Sequence, residues 1–249
     1  MAQTESNGAG MVGLLRRGLR SGAVRIQRRA ADLAPAERAR GRRDWPQAVA
    51  AVPALAQLDG QIDALAAPFA DAHARYCREV GHPVHAASLE LVGLLAGLFN
   101  ETRPGRVIDL GSGFTSFVLR TLAAGATWPV TVHSVDDSPE WLDKTRAYLR
   151  AQGLDDAGTF SWHEFEASAR RGAYDLVLHD MGFMDTRFAT LDAVVDLARA
   201  GGVVLLDDMH KPDYRDKALA ALAARGLRPL SLRRLTHDDL TRFAYVLVR

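Results

Sequence analysis

The chain has 249 residues, 48% of them hydrophobic and 24% charged, enough to bury one sizeable core and too few for several ordinary domains. A formal net charge of +1 gives the molecule as a whole no electrostatic reason to wrap a polyanion. A single cysteine, Cys77, excludes an intramolecular disulfide framework, a cysteine-based zinc cluster and dithiol redox chemistry, and suits a cytoplasmic location.

The charge is unevenly spread. Up to Arg43 there are ten arginines and three acids (Glu5, Asp32, Glu37), about +7, and the remaining 21 basic and 27 acidic residues carry about −6. After the small, polar MAQTESNGAG, residues Met11 to Ala31 set Leu14, Leu15, Leu19, Val24 and Ile26 among six arginines. This reads as a basic, loosely amphipathic helix, weakened by Gly13, Gly18 and Gly22. Such an arm (1–43) packs on the body or on a second subunit of a homo-oligomer, or contacts nucleic acid or an anionic membrane surface. No apolar stretch approaches the roughly 20 residues of a membrane span, and Arg16, Arg17 and Arg20 break any signal-peptide pattern.

Asp44-Trp45-Pro46 reads as punctuation, followed by helices near 47–59 and 61–80, a stop at His82-Pro83, and a helix near 86–99, making a helical lead-in over 44–100. The main domain is expected over 101–249. From Arg106 onward, short β-branched or apolar runs alternate with helical stretches, the pattern of βαβ units and a parallel sheet. Strands are predicted at Val107–Leu110, Val130–Val135, Thr159–His163, Leu176–His179 and Val203–Leu206. Helices are predicted near 115–124, 139–152, 186–199 and 213–225. Pro229–Leu235 and Arg242–Val248 are separated only by THDDLT, a spacing that permits only an antiparallel pair. The fold class is therefore α/β, a doubly wound, mostly parallel sheet with an antiparallel C-terminal strand, plus N-terminal helices.

VIDLGSGFTS (107–116) is a strand, a glycine turn and a helix start. Gly111 and Gly113 let the backbone approach a ligand at the carboxyl end of the first strand, where doubly wound sheets bind nucleotide-like molecules. A dinucleotide fingerprint needs a third glycine where Ser116 stands, which disfavours a nicotinamide-dependent oxidoreductase. Asp136 ends the next strand, where a carboxylate can accept both hydroxyl hydrogens of a ribose. Ser138 suits an N-cap and Pro139 the first turn of the following helix.

VIDLGSGFTS followed by VDDSPEWL resembles the S-adenosylmethionine-binding half of class I methyltransferases, over about residues 86–249. The resemblance implies a seven-stranded sheet ending in an antiparallel strand. It implies that Asp109, Gly111 and Gly113, with Ser112 between the glycines, hold the methionine part of the cofactor. It assigns the ribose to Asp136, beside Asp137, and an adenine contact to Glu164 or Glu166.

Asp180 lies just past the fourth predicted strand, and Asp207 and Asp208 lie just past the fifth, so their carboxylates should converge in one crevice. Three bare carboxylates repel, and a hard divalent cation such as Mg²⁺ would neutralise them. The arrangement is similar to metal-dependent O-methyltransferases of the catechol and the antibiotic-sugar and macrolide-tailoring types. That similarity implies Asp180, Asp207 and Asp208 as metal ligands and a small hydroxylated acceptor. His210, Lys211 and His179 are candidate bases, with His210 preferred, and Asp180 belongs to the same catalytic group. HDMG (179–182) stands where amino-group methyltransferases carry a polar residue, Pro-Pro and an aromatic, which argues against amine or amide methylation. Residues 181–189, with Phe183, Met184 and Phe188, are expected to wall the acceptor. Two other readings remain open: a metal-independent methyltransferase acting on RNA or protein through the basic arm, and a cofactor-binding protein without turnover.

Overall fold

Strands that must be covered on both faces need unbroken apolar runs, and those runs build the centre of this molecule. The structure is a computed structural model that describes residues 35–167 and 172–249, so the basic helix expected over 11–31 lies outside the described residues. The chain divides into two units, Met1–Arg40 and Gly41–Arg249. In the first, residues 35–40 are helical and Arg40 Nε lies 3.7 Å from Glu37 Oε1.

The second unit opens with helical residues 41–51 (α1), so Asp44-Trp45-Pro46 does not break the chain as expected. Proline removes one backbone donor, and here tertiary contacts hold the helix around it. Asp44 Oδ2 accepts from the Ser231 amide at 3.2 Å, and the Arg234 guanidinium lies over the Trp45 ring. The breaks fall at two later prolines. Pro53 precedes α2 (Ala54–Leu58), and Pro68 sits in a 3₁₀ turn, Ala67–Phe69, that separates α3 (Ile62–Ala66) from α4 (Ala70–Glu79). The two long helices predicted here are therefore segmented. Next, α5 (Leu89–Thr102) is capped by Ser88, whose Oγ accepts from the Leu91 amide at 3.1 Å. It runs tightly against α3: a Cβ on Gly93 would meet the Ile62 carbonyl oxygen at 2.4 Å.

The sheet alternates with helices: β1 (Arg106–Leu110), α6 (Phe114–Gly125), β2 (Thr131–Asp136), α7 (Pro139–Ala151), β3 (Thr159–Ser161), α8 (Trp162–Ala167), β4 (Tyr174–His179), α9 (Met184–Leu197), β5 (Ala198–Leu206), α10 (Pro212–Ala224), β6 (Leu230–Ser231), α11 (Arg233–Thr236) and β7 (Tyr245–Val248). The strand order is β3-β2-β1-β4-β5-β7-β6. The first five strands pair in parallel, and β7 pairs antiparallel with both β5 and β6. This is the expected seven-stranded α/β sheet. Side chains alternate between two cores. Val107, Leu176, Leu178, Val203 and Leu205 join α5, α6 and α7 on one face; Ile108, Leu110, Val177, Val204 and Leu206 join α9 and α10 on the other.

Several predicted boundaries move, and β5 starts at Ala198, five residues before the predicted Val203 and inside the helix expected to run to 199. Thr159–His163 stops as a strand at Ser161, because Ser161 and Glu164 form a capping box that starts α8. Pro229–Leu235 keeps only Leu230–Ser231 as strand, since Leu232 and Leu235 bury at helical spacing. Finally, the strand expected from Arg242 starts at Tyr245, because Asp238 binds both the amide and the guanidinium of Arg242 and holds that stretch as a turn.

Candidate active site

The carboxyl ends of β1, β2, β4 and β5 carry the candidate residues. Gly111 (φ +104°) turns the chain after β1 and donates its amide to Val135 O at 2.8 Å. A Cβ there would lie 2.6 Å from the Asp180 carbonyl, so only glycine lets the loop lie against the end of β4. Ser112 donates its amide (2.8 Å) and its hydroxyl (3.0 Å) to Asp136 Oδ2, and Asp136 Oδ1 accepts from the Ser138 amide at 2.9 Å. The buried Asp136 thus joins the glycine loop to the start of α7. Burial raises its carboxyl, against the pull of these donors. Ser138 caps α7 through the Trp141 amide, as its sequence suggests.

Asp109 is fully buried against α6. Its oxygens accept from Thr115 Oγ1 (2.9 Å) and Ser116 Oγ (2.6 Å), while Ser116 Oγ accepts from the Gly113 amide at 3.2 Å. Ser116, which departs from the dinucleotide fingerprint, therefore links Asp109 to the second loop glycine. Burial pushes Asp109 up to about 7 despite these hydroxyl donors. Asp109 is thus tied, through Ser116, into the glycine loop.

Asp137 is exposed and leans toward the loop after β4: a Cβ on Gly182 would come within 2.9 Å of its Oδ2. Glu164 is exposed, and its carboxylate accepts from the amide and hydroxyl of Ser161, which holds it below the usual glutamate range. Glu166 is also exposed. Two residues over the loop escaped the sequence reading. Trp141 Nε1 donates to Ser112 O at 2.6 Å, and Tyr76 of α4 places its hydroxyl 3.1 Å from where a Gly113 Cβ would stand. Trp141 lies inside the quoted VDDSPEWL motif; Tyr76 comes from a distant helix and carries no local signal.

The acid cluster differs most from expectation. Asp180, Asp207 and Asp208 do converge, but a side chain of α9 supplies the cation between them. Arg187, 4% exposed at its side chain, places Nη2 2.7 Å from Asp180 Oδ1 and Nη1 2.6 Å from Asp208 Oδ2. It also donates to the carbonyls of Asp180 (2.5 Å) and Gly182 (3.2 Å). Lys211 Nζ meets Asp208 Oδ2 at 2.5 Å. Among the described residues, no group of three His, Cys, Asp or Glu is placed to hold a metal ion. The three acids therefore do not fit Mg²⁺. A dication needs close approach by its oxygens, and Asp208 Oδ2 already receives the buried Arg187 guanidinium and the Lys211 ammonium.

Asp208 adopts φ +62° at the turn after β5. Burial would raise its carboxyl, but Arg187 and Lys211 hold it below the usual range. Asp207 is pushed up to about 6 by burial and by the adjacent Asp208 charge. Lys211 and Asp180 are thus committed to ion pairs. His210 Nδ1 is buried without a hydrogen bond and lies 3.5 Å from Asp208 Oδ1, a contact that becomes an ion pair only when the imidazole is protonated. Burial lowers His210 to about 4, so its imidazole is neutral at physiological pH. His179 turns away from the crevice into the α9 interface, where its Nε2 meets Arg187 O at 2.9 Å. Phe183, at the N-terminus of α9, is 85% exposed beside this crevice, and Phe188 is partly exposed.

No family model matches the sequence, and no curated protein matches it. Solved structures do match in fold. One is the O-methyltransferase TomG from Streptomyces achromogenes, involved in tomaymycin synthesis, in complex with SAM: TM-score 0.54, 17% identity, 71% of this chain and 86% of that one. Another is an O-methyltransferase from Bacillus cereus in complex with SAH: TM-score 0.53, 15% identity, 78% of this chain and 97% of that one. The chain shares its fold with these two O-methyltransferases. At these identities the likeness fixes the architecture, and function has to be argued from the site. No helix among the described residues is long and apolar enough to cross a membrane.

Proposed function

We propose that this protein is an S-adenosylmethionine-dependent methyltransferase that methylates a hydroxyl oxygen of a small molecule. One observation carries the reading: a positive-φ glycine loop at the end of β1 is bound, through Ser112, to a buried carboxylate at the end of β2. Those residues fit the cofactor. Gly111 and Gly113 offer bare backbone for the methionine part, Asp136 an acceptor for the ribose diol, and Asp137 a second acid at the rim. Glu164 and Glu166, in α8 just after β3, are the acids that would contact the adenine. S-adenosylmethionine supplies an electrophilic methyl group on a sulfonium.

The chain's part in the chemistry is to position the acceptor and take its proton. His210 Nε2, with Nδ1 directed at Asp208, accepts the hydroxyl hydrogen. A base of pKa about 4 suffices, because an oxygen undergoing alkylation becomes a far stronger acid than an imidazolium of that pKa. Asp208, 3.5 Å from Nδ1, stabilises the charge the ring gains, as carboxylates do for catalytic imidazoles generally. Phe183 and Met184 form an apolar rim for the acceptor, and burying the acceptor there excludes water and aligns its oxygen.

The test is calorimetric titration of S-adenosylhomocysteine into the full chain and into Asp136→Ala, followed by transfer of labelled methyl to a panel of sugars, phenols and hydroxylated scaffolds. Binding that Asp136→Ala weakens, with label appearing in a hydroxylated acceptor, is the expected result. A folded protein that ignores the cofactor product would overturn the reading. Cofactor binding with label transferred only to RNA or protein, lost at high salt, would move the acceptor to a macromolecule.

A further inference from the structure

Asp180, Asp207 and Asp208 occupy strand ends where a hard cation would bind well, yet the structure places a guanidinium there. We infer that Arg187 takes the position these acids would offer a divalent cation, so that this protein works without one. Four features carry the inference. The guanidinium bridges two of the three carboxylates, at 2.7 and 2.6 Å. It is buried at the N-terminal end of α9 and is fastened to the carbonyl oxygens of Asp180 and Gly182, with Nε directed at Met181 O, so it does not swing aside as a surface arginine would. Its planar fork suits two carboxylates at once, which an ammonium does not. Lys211 adds a second positive charge on the oxygen that Arg187 already holds. Three carboxylates beside two cationic side chains leave at most a single negative charge, little to draw a dication.

Arg187 is then a positioning residue. It keeps the turn at 180–182 against the glycine loop and fixes Asp208, which faces His210. This catalytic consequence rests on the methyl-transfer reading, whereas the occupancy of the acid cluster does not.

The experiment is a Mn²⁺ titration of the full chain followed by electron paramagnetic resonance, in parallel with S-adenosylhomocysteine titration in EDTA and in Mg²⁺. The wild type should leave Mn²⁺ free up to about 1 mM, the weak end of protein divalent sites. Arg187→Ala should gain one Mn²⁺ site at least tenfold tighter than any in the wild type, and Arg187→Ala combined with Asp208→Asn should lose it. S-adenosylhomocysteine affinity of the wild type should be the same in EDTA and in Mg²⁺. Stoichiometric micromolar Mn²⁺ binding by the wild type, abolished in Asp208→Asn, would overturn the inference. So would a folded Arg187→Ala that gains no site. If Arg187→Ala does not fold, as judged by near-ultraviolet circular dichroism, the wild-type titration still decides. Failure of S-adenosylhomocysteine to bind would remove the methyl-transfer reading and leave the Mn²⁺ result standing.

Discussion

Replacing Gly111 by alanine tests how the glycine loop is held. Two costs can be read from the structure. A left-handed φ, here +104°, costs a residue with a Cβ about 1–2 kcal/mol. The new Cβ would also stand 2.6 Å from the Asp180 carbonyl carbon and oxygen and 2.8 Å from the Met181 amide nitrogen. These are backbone atoms at the end of a central strand, so relief requires the loop or β4 to shift, an overpacking cost of about 1–3 kcal/mol. The sum is about 3 kcal/mol, and with a urea slope of about 3 kcal/mol per M the unfolding midpoint should fall by about 1 M. Gly153→Ala is the internal control. Gly153 also has a left-handed φ, +72°, but nothing lies within 4 Å of its added Cβ, so only the conformational cost remains, about 0.3–0.6 M. Urea unfolding of the three proteins, with S-adenosylhomocysteine titration of each, separates the terms. Gly111→Ala should lose more stability than the control and more than tenfold in affinity, while Gly153→Ala keeps wild-type affinity. Equal midpoints for the two variants would refute the claim that close packing on Asp180 holds the loop.

Asp136→Asn removes a charged acceptor serving the Ser112 amide, the Ser112 hydroxyl and the Ser138 amide. Hydrogen bonds to charged groups contribute about 1.5–3 kcal/mol each, so calorimetry should show S-adenosylhomocysteine binding roughly tenfold to a hundredfold weaker. Asp109 is raised to about 7 by burial, so between pH 4 and 7 the native state holds a proton that the unfolded chain has released. From this group stability falls as pH rises through that window, and Asp109→Asn should flatten the dependence measured by thermal unfolding; an unchanged slope would contradict the burial argument. His210→Gln should lower kcat by about 10²–10⁴ and leave S-adenosylhomocysteine affinity within twofold. Because His210 stays neutral above pH 5, the wild-type rate should show no histidine ionisation between pH 6 and 8, and one that vanished in His210→Gln would contradict its burial.

The glycine loop, the acid after β2 and the helix start at Ser138-Pro139 were legible because each is encoded within a few residues. A strand pattern, a glycine needing positive φ and an N-cap are local facts, and the alternation of apolar runs with helices sets the order of a parallel sheet. The antiparallel C-terminal pair was legible for the same reason, since six residues cannot carry a chain back to start a parallel strand. Even the convergence of Asp180, Asp207 and Asp208 followed from strand ends alone. The sequence could not say what neutralises those acids. Arg187 stands seven residues beyond Asp180, and only the angle at which α9 returns across the sheet decides that its guanidinium falls between Asp180 and Asp208 rather than in solvent. Tyr76 reaches Gly113 from a helix 37 positions earlier, and Pro46 stays helical because Asp44 and Trp45 meet residues near the other end of the chain. Backbone geometry is set by near neighbours and could be read in order. The charge balance of a buried crevice depends on which distant side chains the packing delivers to it, and that was decided only when the helices settled on the sheet.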